Sequence, residues 1–177
     1  MLNLQLTDKA ALRERARQNV DNGAVTEGYT ADREEVIRLL NESLATELVC
    51  TLRYKRHYFM ATGLKASVAA DEFLEHAQQE AEHADRLAER IVQLGGEPEF
   101  NPDKLSELSH AEYKAGNNLK EMVYEDLVAE RIAIDAYREI VQYIGEKDPT
   151  TRRIFEDILA QEEEHADDMA DILADLG

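Results

Sequence analysis

Four long segments with helical periodicity account for most of this chain of 177 residues. Within each segment the apolar residues recur every three or four positions, which is the spacing of one face of an α-helix. Glycines follow three of the segments, at Gly63, Gly95 and Gly145, and Ser67 and Asp148 are the predicted N-caps of the second and the fourth. With only 8 Gly and 3 Pro the chain lacks the frequent turns of a β-sandwich, so we predict an all-α fold. The predicted helices cover about residues 32–61, 67–95, 118–144 and 149–176.

The lengths of the links predict how these helices are arranged. The first two helices, and likewise the last two, are joined by short links, so each pair is expected to form an antiparallel hairpin. Residues 97–117 contain two of the three prolines and form a longer connection, which can cross the length of a bundle and has room for one short helix. Two hairpins joined by one long crossover is the ferritin-like arrangement of a four-helix bundle. We therefore expect this bundle over residues 31–177, preceded by an N-terminal arm at residues 1–30.

The two halves of the chain resemble each other. The tetrapeptide EHAD occurs at 82–85 and again at 164–167, and Glu47 and Glu130 are each followed seven residues later by a tyrosine. An ordinary helical repeat protein is the alternative, but its repeats are usually shorter than these halves. A duplicated helical hairpin predicts a site with approximate twofold symmetry between the halves.

The apolar stripe of every predicted helix contains a glutamate. Glu47 lies between Leu44 and Thr51 in the stripe of the first helix, and Glu130 has the corresponding position in the third. The second and fourth helices carry a Glu-x-x-His pattern, which places both side chains on one face. The candidate ligands are therefore Glu47, Glu80, His83, Glu130, Glu162 and His165.

These glutamates point to a metal site. A carboxylate in an apolar interior is costly unless it is paired or binds a metal, and no Lys or Arg lies on the stripes beside them. Two divalent cations would neutralise four carboxylates. Oxygen and imidazole donors suit iron or manganese, with zinc as the alternative. One Glu from each of two helices and a Glu-x-x-His from each of the other two is the pattern of di-iron carboxylate bundles.

A second match to the pattern shows what a chance occurrence looks like. Glu107 and His110 have the same spacing, but they lie in the proline-containing connection. The corresponding upstream position is Leu74, whereas Glu80 and Glu162 have a glutamate 33 and 32 residues upstream. We therefore exclude Glu107 and His110 from the predicted site.

Residues 33–175 resemble the bacterioferritin and Dps-like branch of the ferritin superfamily. The similarity is strongest at TELV (46–49) with Tyr54 and His57, at EHADRLAER (82–90), and from Leu127 through His165. The resemblance implies a ferroxidase that oxidises Fe(II) with O2 or H2O2 and moves the ferric product as mineral into a protein shell. It implies two iron ions per subunit, with these ligands: Glu47 and His83 terminal on one iron, Glu130 and His165 terminal on the other, and Glu80 and Glu162 bridging.

Two departures from bacterioferritins refine this expectation. Bacterioferritins bind haem through a methionine directly after the first bridging glutamate, and this chain has Ala81 there, so we expect no haem. They also have a short fifth helix that helps to build a shell of twenty-four subunits, whereas only 12 residues follow His165 here. The N-terminal arm and the missing helix are similar to Dps-like members, so we expect a homo-oligomeric shell of twelve subunits. Some of those members carry a cysteine pair near the metals, which Cys50 alone cannot form.

Two tyrosines lie near the candidate ligands. Tyr54 and Tyr137 are each two helical turns from a ligand glutamate, where a hydroxyl could donate electrons or hydrogen-bond a bridging group. The alternative is a core aromatic whose hydroxyl is satisfied by a neighbour. Tyr54 is the candidate catalytic residue.

The remaining histidines and the cysteine are interpreted as structural. Cys50 is expected to be a small buried filler rather than a redox group. His57 matches a family position and is expected to pack or hydrogen-bond behind the ligands. His76 and His110 are expected on the surface.

Charge and hydropathy limit the partners. The 38 acidic residues outnumber the 20 basic ones, and a net charge of −18 disfavours phosphate backbones but suits a protein that gathers cations. In the arm, acidic residues offset the charge of the basic residues Lys9, Arg13, Arg15 and Arg17, which disfavours DNA binding. Its leucines indicate docking on a neighbouring subunit, and they are Leu2, Leu4, Leu6 and Leu12. No apolar run approaches the ~18 residues of a membrane span, and the N-terminus lacks a signal-peptide core. We expect a cytoplasmic protein without a DNA or membrane partner.

Three other functions use a similar ligand set or fold. A manganese catalase would use a similar ligand set, so metal content and activity must decide between the two functions. A rubrerythrin-like peroxidase usually adds a four-cysteine iron domain, which a chain with 1 Cys does not contain. The third alternative is a DNA-protecting shell in which the metals only stabilise the bundle.

Overall fold

The computed structural model describes residues 6–63 and 66–177, and the described part contains helices and no strand. Four of the helices have 26 to 28 residues and correspond to the four predicted segments. A 3-10 turn, Val20–Asn22, lies in the arm. The α-helices are α1 (Lys9–Arg15), α2 (Arg33–Met60), α3 (Ala66–Gln93), α4 (Pro102–Leu108), α5 (Leu119–Ile144) and α6 (Pro149–Asp175). The prediction of an all-α fold is confirmed.

Side-chain caps set the starts of three long helices. Asp32, Asn118 and Asp148 each accept a hydrogen bond from a backbone N–H in the first turn of α2, α5 and α6 respectively. Each cap satisfies a donor that has no partner inside the helix. Pro149 then occupies the first turn of α6, where a missing N–H costs nothing. The predicted starts of these three helices are confirmed.

The start of α3 differs from the prediction, whereas its end agrees with it. The helix begins at Ala66, so Ser67 lies inside it and the prediction of Ser67 as the N-cap is wrong. The position before Ala66 lies outside the described residues. At the other end, Gly95 has a φ of 78°, which favours glycine, and a Cβ on Gly96 would lie 2.8 Å from the side chain of Ile37. The Gly95-Gly96 pair therefore ends α3 as predicted, because the chain turns tightly against α2.

The four long helices form two antiparallel hairpins. Helix α2 packs along α3, and α5 packs along α6; α2 also contacts α5, and α3 contacts α6. Tyr54 of α2 hydrogen-bonds Glu130 of α5, whereas Tyr137 further along α5 hydrogen-bonds Glu47 further back in α2. The earlier residue of α2 thus pairs with the later residue of α5, so the two helices run antiparallel. This is the ferritin-like four-helix bundle that the link lengths predicted.

The crossover follows α2 along more than half of its length. Near the start of the crossover, the carbonyl oxygen of Glu97 accepts a hydrogen bond from the side chain of Asn41. Near the end of the crossover, the carbonyl oxygen of Ala115 lies 3.0 Å from His57 Nε2. These anchors are sixteen residues apart on α2, or about 24 Å at the helical rise. The short α4 lies within this path and packs Leu105 against Val49. One short helix in the crossover was expected.

Two apolar clusters fill the bundle on either side of its middle. The larger cluster includes Leu40, Leu87 and Phe155, and the smaller includes Phe73 and Val123. Each cluster draws residues from all four long helices. The polar side chains of the candidate metal centre lie between them, so the apolar packing on both sides holds that layer in place.

The N-terminal arm contacts the bundle near one end. The Tyr29 hydroxyl donates to the Asp148 carboxylate at 3.0 Å, and Arg90 forms an ion pair with the same carboxylate at 3.0 Å. Leu6 and Leu12 are 84% and 50% exposed, whereas the predicted docking residues Leu2 and Leu4 lie outside the described residues. Among residues 6–63 and 66–177, no helix combines the length and the apolar character needed to cross a membrane.

Candidate metal centre

The six candidate ligands meet in one layer at the middle of the bundle. Helix α2 contributes Glu47 and α5 contributes Glu130, while α3 and α6 each contribute a glutamate and, one turn later, a histidine. Helical periodicity turns each of these residues to the buried face of its own helix. All six are at most 2% exposed, and they are Glu47, Glu80, His83, Glu130, Glu162 and His165.

The layer contains two overlapping sets of metal donors. The donor atoms within each set lie within 4.8 Å of one another. Glu80 and Glu162 belong to both sets, whereas each of the other four residues belongs to one. The first set is Glu47, Glu80, His83 and Glu162, and the second is Glu80, Glu130, Glu162 and His165. The geometry therefore provides two adjacent positions for cations with two carboxylates in common.

Unpaired polar atoms show that the layer suits metal ions. Glu80 Oε1, Glu130 Oε2, both carboxylate oxygens of Glu162 and His165 Nδ1 are buried without a hydrogen-bond partner. Burying such atoms is unfavourable unless something else satisfies them. Carboxylate oxygens and imidazole nitrogens are the donors that divalent iron, manganese and zinc accept. Two such cations would satisfy these atoms and neutralise the carboxylates.

A glutamine from the opposite half of the chain orients each histidine. His83 Nε2 lies 2.8 Å from Gln161 Oε1, and His165 Nε2 lies 2.7 Å from Gln79 Oε1. Because an amide oxygen only accepts, Nε2 carries the proton on both rings. When the ring is neutral, the lone pair of each Nδ1 faces the carboxylates, with His83 Nδ1 3.0 Å from Glu162 and His165 Nδ1 3.3 Å from the same residue.

The sequence interpretation missed these glutamines. Gln79 and Gln161 each directly precede a glutamate shared by both donor sets, so they occupy equivalent positions in the internal repeat. Extending the comparison of the two halves by one residue would have identified them.

The tyrosines also bond across the two halves. The Tyr54 hydroxyl donates to Glu130 and the Tyr137 hydroxyl donates to Glu47, so neither contacts the ligand on its own helix. Both tyrosines are fully buried. The site therefore has the approximate twofold symmetry expected from the repeat. Tyr54, the predicted catalytic residue, contacts one of the unshared ligands rather than a shared one.

Burial and mutual repulsion distribute protons over the layer when no metal is bound. Desolvation, followed by the charge of Glu80, raises the pKa of Glu47 to about 8, and desolvation likewise raises the pKa of Glu130. For His165, the nearby carboxylates of Glu162 and Glu80 outweigh burial and raise the pKa to about 9. The pKa of His83 is also raised, because the three carboxylates beside its ring outweigh burial. Metal ions must displace these protons in order to bind.

The other histidines and the cysteine have different surroundings. His57 lies outside the donor sets, with Nδ1 2.8 Å from Asp126 and its ring against Phe73, so it packs rather than acting as a ligand. Cys50 is buried against Ala111 and Ala129, as expected for a filler. His110 is partly buried, and its Nδ1 lies 3.0 Å from the Thr46 hydroxyl.

The prediction that His76 lies on the surface is wrong. The residue is 1% exposed, and its ring stacks on His165 with 4.0 Å between ring centroids. His76 adjoins Ala77 of the apolar stripe and precedes Glu80 by one turn on α3, so the helix turns it inward. Its position four residues before a candidate ligand was a signal in the sequence that the interpretation did not use.

Four long helices around a buried layer of carboxylates and imidazoles are the arrangement of the ferritin-like class of four-helix bundles. Comparison with known families agrees, since residues 37–177 match the ferritin family through its ferritin-like domain. The chain belongs to the ferritin family.

The similar proteins include bacterioferritins and a DNA-binding protein of nutrient stress. Bacterioferritin from Mycobacterium avium is 33% identical over 138 residues, covering 75% of this chain and 80% of that protein. The nutrient stress-induced DNA-binding protein of a Synechococcus strain is 31% identical over 150 residues, covering 82% of this chain and 84% of that protein. Among solved structures, the dodecameric thioferritin of Bacteroides fragilis, a bacterioferritin-related protein, superposes with a TM-score of 0.79 at 34% identity, covering 82% of this chain and 88% of that one.

Proposed function

We propose that this protein is a ferroxidase that stores and detoxifies iron. Fe(II) is the substrate, O2 or H2O2 is the oxidant, and Fe(III) is sequestered as mineral inside a hollow homo-oligomeric shell. Kinship with bacterioferritins supports iron storage as the general function. The same reaction would consume an oxidant and so protect against oxidative stress.

One observation carries the proposal: the two buried donor sets share Glu80 and Glu162. Two ferrous ions bound by these sets would share two carboxylates, and one histidine would bind each ion. The shared pair matches the bridging role, and Glu47, His83, Glu130 and His165 match the terminal roles. Manganese or zinc would fit the same donors.

The chemistry follows from charge. Each of the two ferrous ions gives up one electron, and one molecule of H2O2 accepts both, or O2 accepts them and becomes peroxide. Water supplies the oxygen of the ferric product and releases protons. Four carboxylates in an environment of low dielectric stabilise the more highly charged ferric state more than the ferrous state. The buried layer thus favours oxidation.

We infer a positioning role for Tyr54. Its hydroxyl donates to Glu130, so it holds the carboxylate of an unshared ligand in one orientation. Tyr137 does the same for Glu47. Hydrogen bonds to ligand carboxylates fix their orientation and tune the metal site.

The shell is inferred to contain twelve copies. The similar structure from Bacteroides fragilis is dodecameric, and large apolar side chains on the outside of this chain offer contact area for neighbours. Phe59 and Val68 are 77% and 63% exposed. Twelve chains of 20.1 kDa give an assembly of about 240 kDa. We infer no haem, because Ala81 stands in the position of the haem-binding methionine.

The test is anaerobic loading with Fe(II), followed by O2 or H2O2 with absorbance recorded over time. The protein is first sized by gel filtration with light scattering. We expect a rapid phase that saturates near two irons per chain, then slower mineral growth in the large assembly. Glu80→Ala and Glu162→Ala should each abolish the rapid phase, whereas Glu107→Ala, at an exposed position of the crossover, should leave it unchanged.

Other outcomes identify the alternatives. Unchanged rapid oxidation in both ligand variants would show that the site is assigned to the wrong residues. Two bound metals with no iron turnover, but vigorous dismutation of peroxide with manganese, would indicate a manganese catalase. No oxidation above background, together with DNA retarded on a gel, would indicate a DNA-protecting shell with structural metals.

A further inference from the structure

A third group of metal-ligating side chains lies one helical turn from the dinuclear layer. Glu72 and His76 are one turn apart on α3, and Asp168 follows His165 by three residues on α6. Their donor atoms lie within 4.8 Å of one another. None of the three belongs to the six candidate ligands, so the group is separate from the dinuclear centre.

The buried imidazole of His76 is aimed at the two carboxylates. Its Nε2 lies 3.4 Å from Asp168 Oδ2 and 3.6 Å from Glu72 Oε2, while the side chain is 2% exposed. The other ring nitrogen, Nδ1, lies 3.3 Å from the Tyr54 hydroxyl. One ring nitrogen of His76 therefore faces two carboxylates, and the other faces a hydroxyl.

The hydrogen-bond chain decides which nitrogen carries the proton. The single proton of the Tyr54 hydroxyl is donated to Glu130, so the hydroxyl oxygen accepts from His76 Nδ1. The lone pair of His76 Nε2 then faces the oxygens of two carboxylates. Three electron-rich atoms converge on one point, which is unfavourable unless a cation lies between them.

The group also lies between the surface and the dinuclear centre. The six ligands of that centre are at most 2% exposed, whereas the side chains of Glu72 and Asp168 are 34% and 52% exposed. His76 connects the two regions, since its ring stacks on His165. Glu75 and Asp71 add negative charge beside Glu72, which raises the local concentration of cations.

We propose that Glu72, His76 and Asp168 form a third divalent-cation site, through which Fe(II) passes on its way to the dinuclear centre. One imidazole and two carboxylates suit Fe(II) and similar first-row divalent ions. Three protein ligands leave coordination positions open to water, so the ion can exchange. The proposal that a cation binds here depends only on the geometry of these three residues. The site's role in loading iron rests on the proposed ferroxidase function.

The binding site is tested by counting metal ions. Co(II) serves as the probe because it binds to similar donors and is not oxidised under anaerobic conditions. Equilibrium dialysis followed by elemental analysis should find three ions per chain in the unmodified protein. Asp168→Asn and Glu72→Gln should each reduce this number to two. Asp167→Asn removes the same charge from the adjacent exposed residue and should retain three.

A second comparison separates this proposal from the previous one. The double variant Glu80→Gln/Glu162→Gln should bind a single Co(II), because only the third site remains. Two ions in the unmodified protein, with no loss in Asp168→Asn, would overturn the third site and leave the dinuclear centre intact. Three ions in both Asp168→Asn and Asp167→Asn would place the third ion elsewhere and also overturn the proposal.

The loading role has its own measurement. If Fe(II) enters through this site, Asp168→Asn should raise the KM for Fe(II) several-fold in the rapid oxidation phase while kcat stays unchanged, and Asp167→Asn should change neither. An unchanged KM in Asp168→Asn, in a variant that has lost the third Co(II), would show that the site binds a cation but does not load the centre.

Discussion

Four of the six candidate ligands are each held by a residue from the other half of the chain. Gln161 orients His83 and Gln79 orients His165, while the two tyrosines donate to the glutamates across the bundle. A ligand fixed in this way has lost most of its rotational freedom before a metal binds. The site is therefore organised by hydrogen bonds as well as by apolar packing.

At this scale we predict the effect of removing one hydroxyl. Tyr54→Phe should reduce the affinity for Co(II) or the rate of iron oxidation about 10- to 100-fold, because Glu130 loses the donor that orients it. The Co(II) absorption spectrum should change as well, since the ligand geometry relaxes. Tyr137→Phe is the matched variant in the other half and should act similarly through Glu47. An unchanged spectrum and rate in both variants would show that the tyrosines only fill space.

The crossover is attached to the bundle by buried charges. Arg53 of α2 donates to Asp126 of α5 at 2.7 Å, and both side chains are fully buried. Arg53 also donates to the backbone carbonyl of Glu112, and His57 lies between Asp126 and the carbonyls of Lys114 and Ala115. Two helices and the end of the crossover thus share one polar cluster. The element that connects the hairpins is positioned by side chains of the helices it crosses.

This cluster leads to a prediction on stability. Asp126→Asn leaves the buried guanidinium of Arg53 without its counter-charge, which should lower the free energy of unfolding by about 3–5 kcal/mol. Asp135→Asn is the control, because the Asp135–Arg138 pair lies on the surface of the same helix, and the change there should be below about 1 kcal/mol. Chemical denaturation monitored by circular dichroism measures both. Equal effects would mean that the buried pair does not anchor the crossover.

The whole molecule is strongly acidic, with a net charge of −18, but its buried layer retains protons when no metal is bound. Without metal, Glu47 and His165 retain protons up to pH values of about 8 and 9, whereas the unfolded chain loses them near 4.5 and 6.5. Between pH 7 and pH 9 the folded state therefore binds more protons than the unfolded state. Its stability must fall as the pH rises through this window. His76 has the opposite effect on stability, because burial lowers its pKa to about 3, but this effect is confined to lower pH.

The prediction is that the melting temperature of the metal-free protein falls from pH 7 to pH 9. Each extra proton that the folded state binds lowers the free energy of unfolding by about 1.4 kcal/mol for every pH unit of increase. A loss of 1 kcal/mol lowers the melting temperature by roughly 2–4 °C for a domain of this size. Zn(II) should remove this decrease, because metal binding strengthens as the ligands lose protons. Scanning calorimetry at several pH values, with and without Zn(II), gives the comparison. Glu47→Gln should flatten the profile of the metal-free protein, and a rising profile would contradict the proton distribution described above.

Local patterns in the sequence determined much of this protein. Helical periodicity and capping residues predicted the long helices, and the crossover length predicted their connection. Because a helix turns every residue to a defined face, the stripes also placed six polar side chains in the core, where the structure brings them together. The repeat predicted the approximate symmetry of that layer. All of these are properties of a single helix or of the spacing between helices.

Other features were decided only by the tertiary structure. The pairing of Gln79 with His165 crosses from one hairpin to the other, and the cluster of Arg53, Asp126 and His57 joins two helices and the crossover. The neighbours of His76 depend on α6 lying against α3, which places His165 and Asp168 beside it. Periodicity gives the face of one helix, but it does not give the rotation and axial position of its neighbour. Those are set by the packing of all four helices together, and they determine which polar groups meet.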